Sequence, residues 1–244
     1  MKSVNRTALG LAATLMLQPM AALAQQAPDP DEIGLTVGHE AATPDAVTES
    51  AGTSALVING GAALVYAIKP DGPGSNNTLT FQPYVEVERN GLYAGLSASL
   101  SKTSVEHEID LYFGYHNETN AGLSYDIGYT RYFYPNDGGD CCGEITLSLG
   151  VSPSDKLSLS IGAAFDPEAG HGATSLGAEY LITDKIGLAA DIGVTGIGTE
   201  SEWDVGANYY VNDKVTVSLY YNDGSNYPGY FELGLSYDTT LLGQ

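Results

Sequence analysis

Acidic side chains at alternating positions are the residues of this 244-residue sequence whose type and spacing could do chemistry. Asp and Glu total 30 against 9 Lys and Arg, which gives a formal net charge of −21. Carboxylates that line an enclosed space of low dielectric concentrate cations and repel anions. The alternative is that they lie fully solvated at the ends of that space and add only solubility. The candidates share the polar side of segments in which polar and apolar residues alternate: Glu86, Glu88, Asp110, Asp126, Glu144, Asp191, Glu202, Asp204 and Glu232.

Cys141 and Cys142 are the only cysteines of the sequence, and they are adjacent. In an oxidising compartment they are a candidate disulfide, although ordinary bridges join Cα atoms that lie farther apart. A metal or redox site is the alternative, but adjacent cysteines lack the spacing of a zinc ligand pair. The sequence therefore favours a small disulfide in an exposed loop.

The sequence carries few signs of catalysis. None of its four histidines belongs to an E-x-x-H or H-x-x-x-H pattern, and the G-x-S-x-G elbow is missing. A membrane hydrolase could still pair His107 or His116 with a serine on an adjacent strand, without any local motif. Because nothing else supports that reaction, we expect no catalytic residue, no metal site and no cofactor, and a protein that is not an enzyme.

The first 53 residues are predicted to stand apart from the folded part of the chain. Lys2 and Arg6 precede an apolar run, and Ala22-Leu23-Ala24 is a small-x-small cleavage site, so residues 1–24 are predicted to be a secretory signal peptide. Residues 25–53 are rich in Ala, Pro, Thr, Asp and Glu and are predicted to be a flexible acidic leader.

From residue 54 onward, polar and apolar residues alternate with the period of a β-strand. About twelve such segments, each roughly nine to eleven residues long, match the length of tilted strands that cross a bilayer. Short connections, such as Asn90-Gly91, alternate with longer ones, such as 135–143, as in outer-membrane barrels. The sequence predicts an all-β fold, a transmembrane antiparallel up-and-down barrel over residues 54–238 with a C-terminal extension at 239–244. A soluble secreted β-sandwich is the alternative fold.

The alternation also predicts which face of each strand meets lipid. Apolar side chains at odd-numbered positions of the central segments are expected to point outward, and Ser148 and Ser160 inward. Glycine and serine on the inward face leave room for water. Aromatic residues near strand ends are expected to form girdles at the two membrane interfaces. The positions expected to face lipid include Leu111, Leu147, Leu159, Val205 and Leu233, and the girdle candidates are Tyr129, Tyr132, Phe133, Tyr134, Tyr209, Tyr210, Tyr220, Tyr221, Tyr230 and Phe231.

Three runs between residues 90 and 137 resemble the TorF family of bacterial porins. They read NGLYAG from Asn90, EIDLYFGY from Glu108 and GLSYDIGYTRYFYP from Gly122. Their order and spacing are similar to those of the family through about fifty residues. The family also carries a motif after its first strand that is replaced here by Lys69-Pro70-Asp71-Gly72. The resemblance implies an outer-membrane barrel that lets small solutes diffuse.

We therefore expect a porin-like channel, located in the bacterial outer membrane and surrounded by its lipids, that passes small solutes and prefers cations. The alternative is a closed barrel that has a structural role or binds partners through its loops without transport. The large negative charge excludes nucleic acid and an anionic membrane surface as partners, because both require a basic face. The sequence identifies neither the solute nor the oligomeric state.

Overall fold

The alternating segments form β-strands in a computed structural model that describes residues 55–70, 77–102, 107–136, 138–195 and 200–243. The predicted signal peptide (1–24) and acidic leader (25–53) lie outside the described residues. Within these ranges, no helix is long and apolar enough to span a membrane.

The described residues contain twelve strands, and each strand pairs antiparallel with its neighbours in sequence. The barrel closes where β1 pairs with β12, which confirms the predicted transmembrane up-and-down barrel. Closure leaves no edge strand among the twelve. The strands are β1 (Val57–Ile68), β2 (Thr78–Arg89), β3 (Leu92–Ser101), β4 (His107–Glu118), β5 (Leu123–Tyr134), β6 (Gly139–Ser154), β7 (Leu157–Asp166), β8 (His171–Thr183), β9 (Ile186–Thr195), β10 (Glu200–Asn212), β11 (Val215–Gly224) and β12 (Tyr230–Leu242).

Connections of two kinds alternate along the chain, as predicted. Turns of two to four residues join β2 to β3, β4 to β5, β6 to β7, β8 to β9 and β10 to β11, and we call this rim the short-turn end. Connections of four to nine residues occupy the opposite rim, the long-loop end. Asn90 and Gly91 have φ values of 57° and 77°, both positive as a type I′ hairpin requires. A Cβ at Gly91 would also lie 2.2 Å from the carbonyl oxygen of His116, so the turn requires glycine.

The apolar faces of the strands point away from the barrel. Leu111, Leu147, Leu159, Val205 and Leu233 are between 40% and 48% exposed, although each lies within a strand. Their polar neighbours in sequence point inward, because successive side chains of a strand alternate between faces. An outward apolar surface of this kind is stable only against lipid or another apolar partner.

Two predicted boundaries differ from the structure. β12 continues to Leu242, so residues 239–242 belong to the barrel and do not extend beyond it. Thr239 and Thr240 pair with Gly60 and Asn59, because the first residues of β1 need a hydrogen-bonding partner at the seam. The 135–143 connection is shorter than predicted, because β6 already begins at Gly139 and includes the two cysteines.

The prediction of aromatic girdles is right for only part of the set. Trp203, Tyr221 and Phe231 form an outward cluster near the long-loop end. The ring centroids of Trp203 and Tyr221 are 5.7 Å apart, and those of Tyr221 and Phe231 are 5.1 Å apart. The prediction is wrong for the aromatic residues that have the inward parity, because adjacent residues of a strand face opposite sides. Those that point into the barrel are Tyr132, Tyr134, Tyr210, Tyr220 and Tyr230.

Candidate functional site

The inner face of the barrel places all nine predicted carboxylates in its lumen. Each has the parity opposite to the exposed apolar residues of its own strand. They do not form one ring but fall into groups on different strands. The β2–β5 wall carries Glu86, Glu88, Asp110 and Asp126, β6 carries Glu144, and the β9–β12 wall carries Asp191, Glu202, Asp204 and Glu232.

The carboxylates of the β2–β5 wall are held by neighbouring side chains. The Tyr93 hydroxyl donates to Asp126 Oδ1 at 2.8 Å, and Ser97 donates to Asp110 Oδ2 at 2.9 Å. His116 Nε2 lies 3.2 Å from Glu88 Oε1. Among the described residues, His116 therefore contacts a carboxylate and does not form the Ser–His pair that a hydrolase would use.

The carboxylates of the β9–β12 wall lie close together across adjacent strands. Asp204 pairs in register with Asp191 on one side and with Asn222 on the other. Glu232 pairs with Tyr220 on β11. Asp204 and Glu232 are only 3% and 5% exposed, so this wall is crowded near the long-loop end.

Glu144 lies on β6 beside the cysteines. The Tyr132 hydroxyl donates to Glu144 Oε2 at 3.1 Å. Cys141 and Cys142 are joined by a disulfide whose Cα atoms are 3.7 Å apart. The pairing of β5 with β6 shifts register beside them, where Tyr132 pairs with Cys142 and Phe133 with Asp140. Cys142 is 2% exposed and packs against Tyr132, so the disulfide belongs to the strand wall and not to an exposed loop.

Further carboxylates that were not among the nine candidates also face the lumen, among them Asp238 and Glu179. Tyr84 donates to Asp238 Oδ1 at 2.9 Å, and the Tyr210 hydroxyl donates to Glu179. In both cases the sequence has a tyrosine at an inward-facing position, and a partly buried tyrosine hydroxyl needs a hydrogen-bond acceptor. That signal was hidden because the partners are distant in sequence and meet only through the strand register.

Several luminal tyrosine rings lie along the wall, over glycines of the neighbouring strand. A Cβ at Gly95 would lie 2.4 Å from the Tyr112 ring, and a Cβ at Gly206 would lie 2.3 Å from the Tyr220 ring. Glycine at these positions lets the ring lie against the backbone of the adjacent strand. The rings therefore occupy less of the lumen than rings that project toward the barrel axis.

Small side chains line the part of the lumen formed by β6, β7 and β8, which we call the small-residue wall. Near its middle the inward positions carry no charged side chain among the described residues. These side chains are short and reach only a little way into the lumen, and Ala164, Ala173 and Ser175 are at most 9% exposed. The inward residues here are Thr146, Ser148, Gly150, Ser160, Gly162, Ala164, Ala173, Ser175 and Gly177.

The basic residues of the described ranges avoid the inner face of the strands. Arg131 has the outward parity of β5 and bridges Asp140, at 2.6 Å, and Glu168, at 2.5 Å, near the long-loop end. The others lie in connections or at a strand terminus: Lys69, Arg89, Lys102, Lys156, Lys185 and Lys214. In these ranges no three His, Cys, Asp or Glu side chains are arranged to hold a metal ion.

Comparison with known proteins identifies a family for this barrel. A family model described as a bacterial protein of unknown function, Gcw_chp, matches residues 73–234. The chain belongs to this family. The match covers β2 to β11 and part of β12, and it does not confirm the TorF name that the motifs indicated. No curated protein matches the sequence.

Solved structures of porins share the fold. The KdgM porin in complex with disordered oligogalacturonate is 10% identical, with a TM-score of 0.57, over 73% of this chain and 98% of that chain. The NanC porin is 12% identical, with a TM-score of 0.50, over 77% of this chain and 100% of that chain. At such low identity, the likeness shows a porin-like barrel and nothing about the solute.

Proposed function

We propose that this barrel is a passive channel of the bacterial outer membrane that admits small solutes and prefers cations. The observation that carries the proposal is the separation of charge. Carboxylates occupy inward positions on strands of two walls, whereas the Lys and Arg residues of the described ranges lie on the outward face, in connections or at a strand terminus. Such a lumen has a negative potential that attracts cations and repels anions.

Room for a path is supported by the small-residue wall and by the tyrosine rings that lie over glycines. Barrels of about eight strands are filled by their own side chains, whereas 16–18 strands enclose a wide aqueous channel. A twelve-strand barrel with short side chains on one wall fits a narrow path between these two cases. Its outward apolar surface suits the hydrocarbon of a bilayer.

The test is the reversal potential of the full chain, refolded into a planar bilayer, across a KCl gradient. We expect the sign of a cation-selective channel, weakening at 1 M salt, where the Debye length falls to about 3 Å. Selectivity should also weaken near pH 4, because protonated carboxyl groups no longer attract cations. A reversal potential at zero or on the anion side contradicts the preference for cations.

A matched pair of triple variants separates the lumen from the rest of the protein. Glu202→Gln, Asp204→Asn and Glu232→Gln together should move the reversal potential toward zero. The control is Asp155→Asn, Asp184→Asn and Asp213→Asn, which removes the same charge from exposed short turns. The control should leave selectivity close to that of the unmodified chain. Absence of any conductance in protein that migrates as a folded barrel would favour the closed barrel.

A further inference from the structure

The Cys141–Cys142 disulfide lies in a β-bulge at the long-loop end of β6. On β5, Tyr132 pairs with Cys142 and Phe133 pairs with Asp140, so Cys141 is the extra residue of the bulge. The bridge joins neighbouring residues of one strand and does not link two strands. A bridge between neighbours removes very little loop entropy from the unfolded chain, so it stabilises the fold much less than a long-range bridge does.

Charged residues on the outward face place this bulge near the membrane interface. Arg131 bridges Asp140 and Glu168 on that face, and the Asp140 side chain is 58% exposed. Charges on the lipid side of a barrel are tolerated near the interface, whereas they are costly at the bilayer centre. Because the long loops of an outer-membrane barrel face the external medium, water-soluble molecules can reach the bulge from that side.

The two cysteines of the bridge differ in exposure. Cys142 is 2% exposed and packs against Tyr132, whereas Cys141 is partly exposed. An attacking thiolate therefore has access to Sγ of Cys141. Adjacent residues hold their Cα atoms about 3.8 Å apart, whereas ordinary bridges span roughly 4.4–6.8 Å. Bridges outside that range, and bridges near the surface, are the ones that thiols reduce readily.

Tyr132 couples the bridge to a luminal carboxylate. Its ring packs against Cys142, and its hydroxyl donates to Glu144 Oε2 at 3.1 Å. Tyr132 and Glu144 are each 3% exposed. When the bridge opens, the two sulfurs must separate to the distance of an ordinary contact, so Cys142 needs room that the Tyr132 ring occupies. Movement of this ring releases Glu144 and makes its carboxylate more accessible from the lumen.

We propose that the Cys141–Cys142 bridge is a thiol-exchange site that low-molecular-weight thiols reduce from the long-loop side, and that its reduction exposes Glu144 to the lumen. The second part rests on the proposed function, because it concerns the charge that a solute meets.

The exchange takes place in two steps. A thiolate attacks Sγ of Cys141 and forms a mixed disulfide, and the electron pair of the broken bond leaves on Sγ of Cys142, which takes up a proton. A second thiolate then attacks the reagent's sulfur in the mixed disulfide, and Cys141 leaves and is protonated in the same way. Two thiol groups of the reductant are thereby oxidised to one disulfide, and the protein bridge is reduced to two cysteine thiols.

The exchange is tested on the full chain refolded in detergent, with dithiothreitol as the thiol. After the reaction, dithiothreitol is removed at low pH, the chain is unfolded, and reduced cysteines are alkylated with iodoacetamide and counted by mass spectrometry. We expect both cysteines to be alkylated in protein that kept the heat-modifiable gel migration of a folded barrel during reduction. A bridge that is reduced only after the barrel is unfolded in urea overturns the proposal, because the fold then shields it.

The exposure of Glu144 is tested by labelling carboxyl groups with a water-soluble carbodiimide and an amine. Labelling of Glu144 should rise severalfold after reduction. The internal control is Asp204, which is also 3% exposed but lies on another wall, and its labelling should stay unchanged. The double variant Cys141→Ser and Cys142→Ser, checked for folded migration, should show the high labelling of Glu144 with or without dithiothreitol. Equal labelling of Glu144 in the bridged and reduced chains overturns the link between bridge and lumen.

Neither measurement requires conduction, so their failure is distinguishable from failure of the channel function. In a barrel that conducts, reduction should also move the reversal potential further toward the cation side, because Glu144 then adds to the negative potential of the lumen. Glu144→Gln should leave the bridge reducible but cancel this shift, whereas Glu202→Gln should retain it. A shift of equal size in E144Q overturns the role of Glu144.

Discussion

The small-residue wall and the β9–β12 wall are built from strands of the same period but present different chemistry to the lumen. In the middle of β6 to β8, inward positions carry Ser, Thr, Ala and Gly. On β9 to β12, they carry acidic residues and tyrosines that are largely buried, among them Asp204 and Tyr220. The comparison indicates that one wall carries short, uncharged side chains and the other supplies charge. A channel needs both, because space alone does not select and charge alone does not conduct.

The largest expected effect tests which side of the small-residue wall faces lipid. Leu159→Arg places a charge on the outward face and should lower the free energy of unfolding by about 2–4 kcal/mol. Ser160→Arg, the next residue of β7, should cost much less because its side chain enters the lumen. Denaturant titration of refolded protein measures both values. Equal costs would show that the inward and outward faces of β7 have been confused.

A smaller effect on stability tests the hydrogen bonds between tyrosines and carboxylates on an acidic wall. Tyr93→Phe removes the hydroxyl that donates to Asp126 and should cost about 1.5–3 kcal/mol, the range for a hydrogen bond to a charged group. The control on the small-residue side is Ser158→Ala, whose hydroxyl makes only an exposed 3.3 Å contact with Ser152. This control should change stability little, and similar losses in the two variants would remove the distinction between the walls.

The smallest effect on stability is expected from a bulky side chain on the small-residue wall. This substitution tests directly whether ions pass along that part of the lumen. Ser148→Trp should reduce single-channel conductance strongly because the indole enters the lumen, while the barrel still folds. Leu147→Trp puts the same ring on the lipid side and should leave conductance near its original value. Unchanged conductance in S148W would mean that ions pass along another part of the lumen.

The sequence predicted the strands well because period-two alternation and turn residues are local signals. Asn90-Gly91 and the outward leucines of β4 and β6 were found this way. Partnerships inside the lumen were harder to predict. Glu179 and Asp238 meet tyrosines that are 31 and 154 residues away in sequence, and only the register of the closed sheet brings them together.

Aromatic residues were predicted less well for a related physical reason. Tyr132 and Phe133 both lie near a loop, but their parity sends one ring to the lumen and the other to the outward face. Composition near a strand end therefore does not identify a girdle without the register. The end of β12 was misjudged because the need of β1 for a partner is a property of the closed barrel and not of residues 239–242 themselves.

The seam between β1 and β12 has a consequence for how the chain folds. The Thr240 hydroxyl donates to Asn59 Oδ1 across a separation of 181 residues, so the first and last strands must meet to complete the sheet. Contacts of such long range slow folding, because the loop entropy is lost before the contact is gained. Closure of the seam is then expected to be the late, slow step of assembly. A chain that lacks its last few residues should accumulate as an open sheet with two unpaired edges, and such edges are prone to aggregate.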